Sequence, residues 1–167
     1  MWTQKGDSDK LIFMKIRKAR LTDAIELSRM HKGTIRNVNK HDYSPKQIKV
    51  WSSRTNVHRF RNSHNLAIRY VAVEGGQIVG YSDFKKENPE NFWGLYVHKN
   101  HLGKGIGSRL LEKMIKVAKK MGAKKFRLEA TKTAKTFYQK KGFKVLKKTI
   151  HTIEGEQLEV YVMEKKF

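Results

Sequence analysis

The chain has 167 residues, with 37 lysines and arginines against 15 aspartates and glutamates, giving a formal net charge of +22. This length fits one domain with a substantial core. There is no cysteine, which excludes a disulfide scaffold, a cysteine zinc site, an iron–sulfur cluster and a thiol nucleophile. No apolar run reaches the roughly 18 residues that a membrane span needs. Residues 1–10 lack the apolar core of a secretory signal. We therefore expect a disordered segment over residues 1–10, one domain over residues 11–167 and a cytoplasmic location.

The net positive charge is concentrated in one third of the chain. Residues 99–148 hold 17 lysines and arginines but two acids, Glu112 and Glu129. Such a surplus favours an anionic partner, and nucleic acid is one candidate because clustered cations release counterions from phosphates. The alternative is a solvated lysine surface without a partner, since lysines outnumber arginines 27 to 10.

The first third of the chain predicts one strand and three helices. The second helix has the clearest start, because Pro45 is tolerated at the first helical position and Ser44 and Gln47 have the spacing of a capping box. The predicted elements are a strand over residues 11–17, a helix from an N-cap at Thr22 to residues 37–39, a helix from Ser44, and a short helix over residues 56–62.

The middle of the chain predicts a β-hairpin and a further strand. Gly75 and Gly76 separate two runs rich in β-branched and aromatic residues, which is a hairpin pattern. Asn88 and Pro89 then interrupt regular structure. The predicted strands cover residues 67–73, 78–84 and 92–97.

The last third predicts two helices and three strands. Apolar residues recur at helical spacing after Ile106, with lysines between them, so an amphipathic helix with a cationic outer face is expected up to Gly122. Thr131 is the predicted cap of a second helix that passes Tyr138 and ends at Gly142. The predicted strands cover residues 125–129, 143–152 and 157–164. The order of elements is that of a mixed α/β domain.

A glycine-rich loop lies between the strand over residues 92–97 and the amphipathic helix. Gly103, Gly105 and Gly107 stand at alternate positions. Glycines let the backbone approach a ligand closely, and the first-turn N–H groups and the helix dipole favour an anion such as phosphate. The spacing fits neither a Walker loop nor a dinucleotide fingerprint. A phosphate site and a plain tight turn are both open readings of the loop alone.

Four stretches together resemble the GNAT acetyltransferase superfamily: Leu95-Tyr96-Val97, the glycine loop, the helix ending at Gly122, and residues 137–143. The resemblance implies a central, mostly antiparallel mixed sheet of six to seven strands with about four flanking helices. It also implies acetyl-CoA as co-substrate, with loop amides on the pyrophosphate and the strand along the pantetheine arm. The residues that it assigns to the cofactor are Leu95, Tyr96, Val97, Leu102, Gly103, Lys104, Gly105, Ile106, Gly107, Ser108, Thr131 and Tyr138.

Three positions depart from the family pattern. Leu102 stands where the family prefers Gln or Arg, which removes a side-chain contact but leaves the loop amides. Thr131 occupies a position that is often Asn. Asn91 lies where many members place a glutamate, and an amide cannot act as a base. The resemblance therefore supplies a cofactor site without supplying the general base.

Tyr138 is the candidate general acid, because the resemblance places it beside the sulfur and a phenol can donate to a thiolate. The alternative is a packed aromatic residue next to Phe137. Glu129 is the candidate base. The alternatives are a water chain or one of the other carboxylates near the hairpin, which are Asp83, Glu87 and Glu90.

The expected acceptor is a primary amine of a small molecule or an amino-acid-like compound, with Tyr43 and Trp51 as pocket walls. A protein N-terminus or lysine is a second acceptor class, and a nucleic-acid-associated protein without catalysis is a third reading. His98 and His101 lack a third ligand, so no metal is expected. The resemblance also implies a homodimer as one arrangement, and no membrane partner is expected.

Overall fold

The structure is a computed structural model that describes residues 13–167. This part of the chain contains seven strands and five α-helices. In chain order they are β1 Lys15–Lys18, α1 Ala24–Asn37, α2 Pro45–Ser53, α3 Val57–Asn62, β2 Ala67–Glu74, β3 Gln77–Lys85, β4 Phe92–Val97, α4 Ile106–Lys120, β5 Lys125–Thr131, α5 Lys132–Lys140, β6 Lys144–Ile153 and β7 Glu156–Lys166. The segment over residues 1–10 and the first two residues of the predicted strand lie outside the described residues.

The strands form two antiparallel sheets, which confirms the predicted mixed α/β class. Their orders are β1-β2-β3-β4 and β5-β7-β6. The expected central sheet is divided, because β4 and β5 meet only at a parallel bridge between Asn91 and Arg127. Beyond this bridge the two strands are not paired, and a gap opens between them toward Val97 and Thr131.

A bulge lies at the start of β4. Asp83 pairs with Gly94 and Phe84 pairs with Phe92, so Trp93 is the extra residue. A bulge of this kind bends a strand and increases its twist locally. The Ser82 hydroxyl donates to Gly94 O at 2.9 Å and fixes the strand there. The bend occurs where β4 leaves β5.

Helices cover both faces of the first sheet. Val71 and Ala72 are consecutive in β2 and both fully buried, so they point to opposite faces. Val71 packs in a cluster with Leu27 of α1 and Phe60 of α3. Ala72 packs in another cluster with Leu110 of α4. The start of α4 is therefore held against β4, beside the gap.

Local signals explain most helix starts. The predicted capping box is confirmed, because Ser44 Oγ accepts from Gln47 N–H at 3.2 Å and Gln47 Oε1 accepts from Ser44 N–H at 2.8 Å. The helix predicted from Thr22 begins at Ala24 instead, after a 3₁₀ turn. Asp23 explains this shift, since its carboxylate accepts from Arg20 N–H at 2.7 Å and pairs with an arginine of β1. Within residues 13–167 no helix has the length and apolar character needed to cross a membrane.

Candidate active site

A cavity of about 350 Å³ lies where β4 and β5 separate. Its walls are the end of β4, the glycine loop with the first turn of α4, the start of α5 and the end of α1. All but one of the residues that the sequence assigned to the cofactor line it, and the exception is Lys104. Those lining residues are Leu95, Tyr96, Val97, Leu102, Gly103, Gly105, Ile106, Gly107, Ser108, Thr131 and Tyr138.

The glycine loop presents backbone N–H groups to this cavity. The first hydrogen bond of α4 runs from Arg109 N–H to Gly105 O at 3.1 Å. The N–H groups of Ile106, Gly107 and Ser108 precede it and have no partner within the helix. The helix dipole places about half a positive charge at the same point. Gly105 has a φ of +76°, which strains any side-chain-bearing residue.

Gly107 brings the helix close to its neighbours. A Cβ at this position would lie 3.3 Å from Leu95 Cδ2 and 3.4 Å from two ring atoms of Phe137. These distances are tight for a carbon contact, so a larger residue would push α4 away from β4 and α5. Glycine at this position therefore sets the width of the cavity.

The β4 edge facing the gap also carries free donors. His98 N–H donates to Val79 O of β3 at 2.8 Å. Because N–H groups alternate in direction along a strand, those of Leu95 and Val97 point away from β3 and into the gap. Val97 O accepts from the Thr34 hydroxyl at 3.1 Å, which anchors α1 to this edge.

Tyr138 projects from α5 into the wall of the cavity. It is 3% exposed, and its ring packs against Phe92, Phe137 and Phe143. Its hydroxyl has no hydrogen-bond partner among residues 13–167. Burial raises the pKa of this hydroxyl well above its ordinary value. The group is therefore a protonated donor at neutral pH, as a general acid must be.

Asn39 lines the cavity but was not predicted from the sequence. It is 5% exposed, and its Nδ2 donates to Thr133 Oγ1 at 3.2 Å and to Thr131 Oγ1 at 3.5 Å. Thr131 also caps α5 by accepting from Ala134 N–H at 3.2 Å. The Asn39 amide thus lies beside Thr131, where the family pattern often has an asparagine.

A buried histidine lies behind β4, and the sequence analysis missed it as well. His31 of α1 is fully buried and its ring centroid is 3.9 Å from that of Tyr96. His31 Nδ1 is 2.9 Å from the Tyr81 hydroxyl, whereas Nε2 has no hydrogen-bond partner in the described part of the chain. Burial, with smaller effects from two nearby arginines, lowers the pKa of His31 well below its usual value. Burial raises the pKa of Tyr96 to about 12.

The candidate carboxylate bases lie outside the cavity. Glu129 lies on the outer face of β5 and pairs with His151. Asp83 is buried in an ion pair with Arg69 at 2.7 Å. The other two candidates named from the sequence are Glu87, which is exposed, and Glu90, which shares an outer groove with Glu129.

Tyr43 and Trp51, the predicted acceptor walls, do not line the cavity. Both are buried in a cluster with Leu158 of β7. The Tyr43 hydroxyl donates to Glu159 O at 2.7 Å and accepts from Lys132 N–H at 3.0 Å. Their contacts are those of packed residues that join α2 to β7 and α5.

The two loop histidines are each engaged by another group of the protein. His101 Nε2 pairs with Glu74 at 2.8 Å, and His98 Nδ1 accepts from Asn100 N–H at 3.2 Å. Throughout residues 13–167, no group of three or more histidine and acidic side chains is placed to hold a metal ion.

Comparison with known proteins decides the family. Residues 39–167 match the family model described as an acetyltransferase (GNAT) domain. The chain belongs to the GNAT acetyltransferase family. It is an acyltransferase by that membership, and the glycine loop and Tyr138 fall inside the matched region. No curated protein matches the chain.

Solved GNAT structures share the fold over most of the chain. A GCN5-related N-acetyltransferase from Rhodopseudomonas palustris is 25% identical, with a TM-score of 0.86 over 92% of this chain and 95% of that one. The PaiA N-acetyltransferase from Thermoplasma acidophilum, solved in complex with coenzyme A, is 24% identical, with a TM-score of 0.75 over 92% and 99% of the two chains. The acetyltransferase YncA from Salmonella typhimurium, solved with acetyl-CoA, is 20% identical, with a TM-score of 0.69 over 92% and 94%.

Proposed function

We propose that this chain is an acetyl-CoA-dependent N-acetyltransferase that transfers the acetyl group directly to the primary amine of a small, amino-acid-like acceptor in the cytoplasm. The observation that carries the proposal is the cavity between β4 and β5, where first-turn amides of α4 face the same space as the Tyr138 hydroxyl, which has no hydrogen-bond partner within residues 13–167. The structures of PaiA with coenzyme A and of YncA with acetyl-CoA support the choice of co-substrate.

The residues around the cavity fit the pyrophosphate and the pantetheine arm of acetyl-CoA. The amides of Ile106, Gly107 and Ser108 bind the pyrophosphate, assisted by the dipole of α4. Lys104 lies in the same loop and adds positive charge. The pantetheine arm takes the place of the missing strand partner and accepts hydrogen bonds from the N–H groups of Leu95 and Val97. The apolar side chains that line the cavity exclude water from the thioester.

Acetyl transfer needs one bond formed, one bond broken and two proton movements. The acceptor nitrogen, as a neutral amine, bonds to the thioester carbonyl carbon, and a β4 N–H stabilises the oxygen on which negative charge develops. The carbon–sulfur bond then breaks, and Tyr138 donates its hydroxyl proton to the leaving sulfur. The proton lost by the nitrogen passes through water to Glu129, which lies outside the cavity on the outer face of β5. Tyr138 regains a proton from solvent afterwards.

The test measures thiol release and coenzyme A binding on the same preparation. Wild-type protein should release free thiol from acetyl-CoA with at least one member of a primary amine panel, and coenzyme A should raise its melting temperature. A protein-acetylating enzyme would act on peptide N-termini or lysines and leave the small amines untouched. Salt-sensitive nucleic-acid binding without coenzyme A binding would overturn the proposal in favour of the non-catalytic reading.

A further inference from the structure

A second depression, a groove of about 580 Å³, lies on the outer face of the second sheet. A small pocket of about 60 Å³ behind β4 shares lining residues with both the groove and the cavity. Tyr96 lines both the cavity and this pocket, whereas Trp93 lines both the pocket and the groove. The three spaces therefore follow one another across β4. A molecule in the groove lies on the opposite side of this strand from the glycine loop.

Some charged side chains of this groove have a hydrogen-bond or ion-pair partner and others do not. Arg127 and Lys147 have no hydrogen-bond or ion-pair partner for their side chains among residues 13–167. The other charged side chains of the groove are engaged by neighbours: Lys125 by Glu164 at 3.0 Å, Glu129 by His151, and Glu90 by the backbone N–H of Lys124 at 2.9 Å. Within the described residues, Arg127 and Lys147 are thus the two cations of the groove that remain to bind an anionic group, beside the carboxylates of Glu90 and Glu129.

The strand register fixes the spacing of these groups. Arg127 and Glu129 are two residues apart on the same face of β5, which separates their Cα atoms by about 6.7 Å. Val162 of β7 pairs with Glu129 on one side and with Lys147 of β6 on the other. Two strand spacings put Glu129 and Lys147 about 10 Å apart. Val162 is 5% exposed and forms an apolar floor between them, and Trp93, 38% exposed, supplies an aromatic wall.

Arg127 and Glu129 lie at different points along the gap between β4 and β5. Arg127 lies at the parallel bridge, where the gap is closed. Glu129 lies two residues nearer to Thr131, where the gap is open. A small acceptor with its anionic group on Arg127 and Lys147 thus places its amine on the side of Glu129, toward the cavity.

We propose that the groove is the acceptor site and that it selects a primary amine that carries a carboxylate close to the amine. The inference rests on the proposed function and narrows its acceptor class. Arg127 recognises the carboxylate, because a guanidinium forms two parallel hydrogen bonds with it. Lys147 adds a second cation from the opposite strand. Both are specificity-determining residues and take no part in the proton transfers.

The experiment compares matched acceptors that differ in one charge. The kcat/KM for thiol release is measured with amino acids and with their carboxamides, which keep the amine and lose the carboxylate. The variants are R127Q, K147Q and their combination. K116Q is the control, because Lys116 is an exposed lysine on the outer face of α4, away from the groove. The shift in melting temperature with coenzyme A is measured for each protein.

Wild-type protein and K116Q should prefer the amino acid over its amide by about tenfold, and the double variant should lose this preference while keeping the coenzyme A shift. Most of the loss should be in KM, because the two cations bind the acceptor without entering the chemistry. Coenzyme A binding and amine turnover without a carboxylate preference, or a preference that survives in the double variant, would overturn this inference alone. Absence of coenzyme A binding and of turnover with every amine would overturn the proposed function and the inference with it.

Discussion

Replacing Tyr138 with phenylalanine should separate catalysis from folding. The ring keeps its contacts, including the one with Phe143 at a centroid distance of 5.3 Å. The lost hydroxyl has no hydrogen-bond partner among residues 13–167, so the free energy of unfolding should change by less than about 1 kcal/mol. A positioned general acid contributes about 100-fold to 10,000-fold to the rate, so kcat should fall by at least about 100-fold. Coenzyme A affinity should be nearly unchanged, because the loop amides are intact.

The assay is thiol release under saturating acetyl-CoA, with thermal unfolding measured in parallel with and without coenzyme A. Y161F is the matched control, since the Tyr161 hydroxyl donates to Glu159 at 2.7 Å and lies outside the cavity. That variant should keep its kcat. If Y138F stayed folded and retained kcat within about twofold, the hydroxyl would not be the acid in this reaction. Loss of the fold would contradict the small expected change in the free energy of unfolding.

Two further predictions concern stability. Because burial lowers the pKa of His31, the folded state binds fewer protons than the unfolded state below pH 6.5. The free energy of unfolding should therefore fall by up to about 1.4 kcal/mol per pH unit as the pH drops below that value. H31Q should remove this part of the slope in denaturant titrations at several pH values, and H58Q, at an exposed histidine, should not. An unchanged slope in H31Q would contradict the assigned cause. Ser44 makes two reciprocal capping bonds, so S44A should lower the free energy of unfolding by about 1 kcal/mol. S53A at the other end of α2 should cost less, and equal losses in the two variants would argue against the capping box.

The sequence was informative wherever the signal was local. The capping box at Ser44, the Gly75-Gly76 turn and the apolar repeat of α4 each depend on residues within a few positions of one another, and each element lies where it was predicted. The glycine loop is local in the same sense. Its strand, its glycines and its helix follow one another directly, so the position of the loop between β4 and α4 could be predicted from the sequence.

Residues that reach the site through tertiary packing could not be found in this way. His31 lies in α1 and Asn39 in the 3₁₀ turn after it, more than 50 residues before β4, and both side chains are polar. Hydrophobic periodicity counts such residues as solvent-facing. Their burial depends on how α1 crosses the first sheet. Tyr43 and Trp51 illustrate the opposite case, because an aromatic pair flanking a short helix was predicted to form pocket walls and the structure packs it in a cluster with Leu158 of β7.

The proposed acceptor groove depends on the pairing register of β6 with β7. This register is harder to predict from the sequence than the packing of α1 is. The pairing of β6 with β7 shifts between Val145 and Lys147, so that Leu146 is an extra residue. Side chains alternate between faces along a strand, and a shift of one residue moves each of them to the other face. Without this bulge Lys147 would point away from the groove. Part of the charge of +22 therefore faces a defined groove, which composition alone could not show.

Binding of coenzyme A to a Gly105 variant shows directly whether the glycine loop is the cofactor site. G105E adds a side chain and a negative charge to the loop that we propose binds pyrophosphate, whereas G76E makes the same change in the distant hairpin turn. The two glycines have φ values of +76° and +78°, and a Cβ at either position meets nothing within 4 Å. The backbone strain of about 1–2 kcal/mol is thus matched. Saturating coenzyme A should raise the melting temperature of wild-type protein and G76E but leave that of G105E unchanged. An equal rise in all three proteins would show that the glycine loop is not the cofactor site.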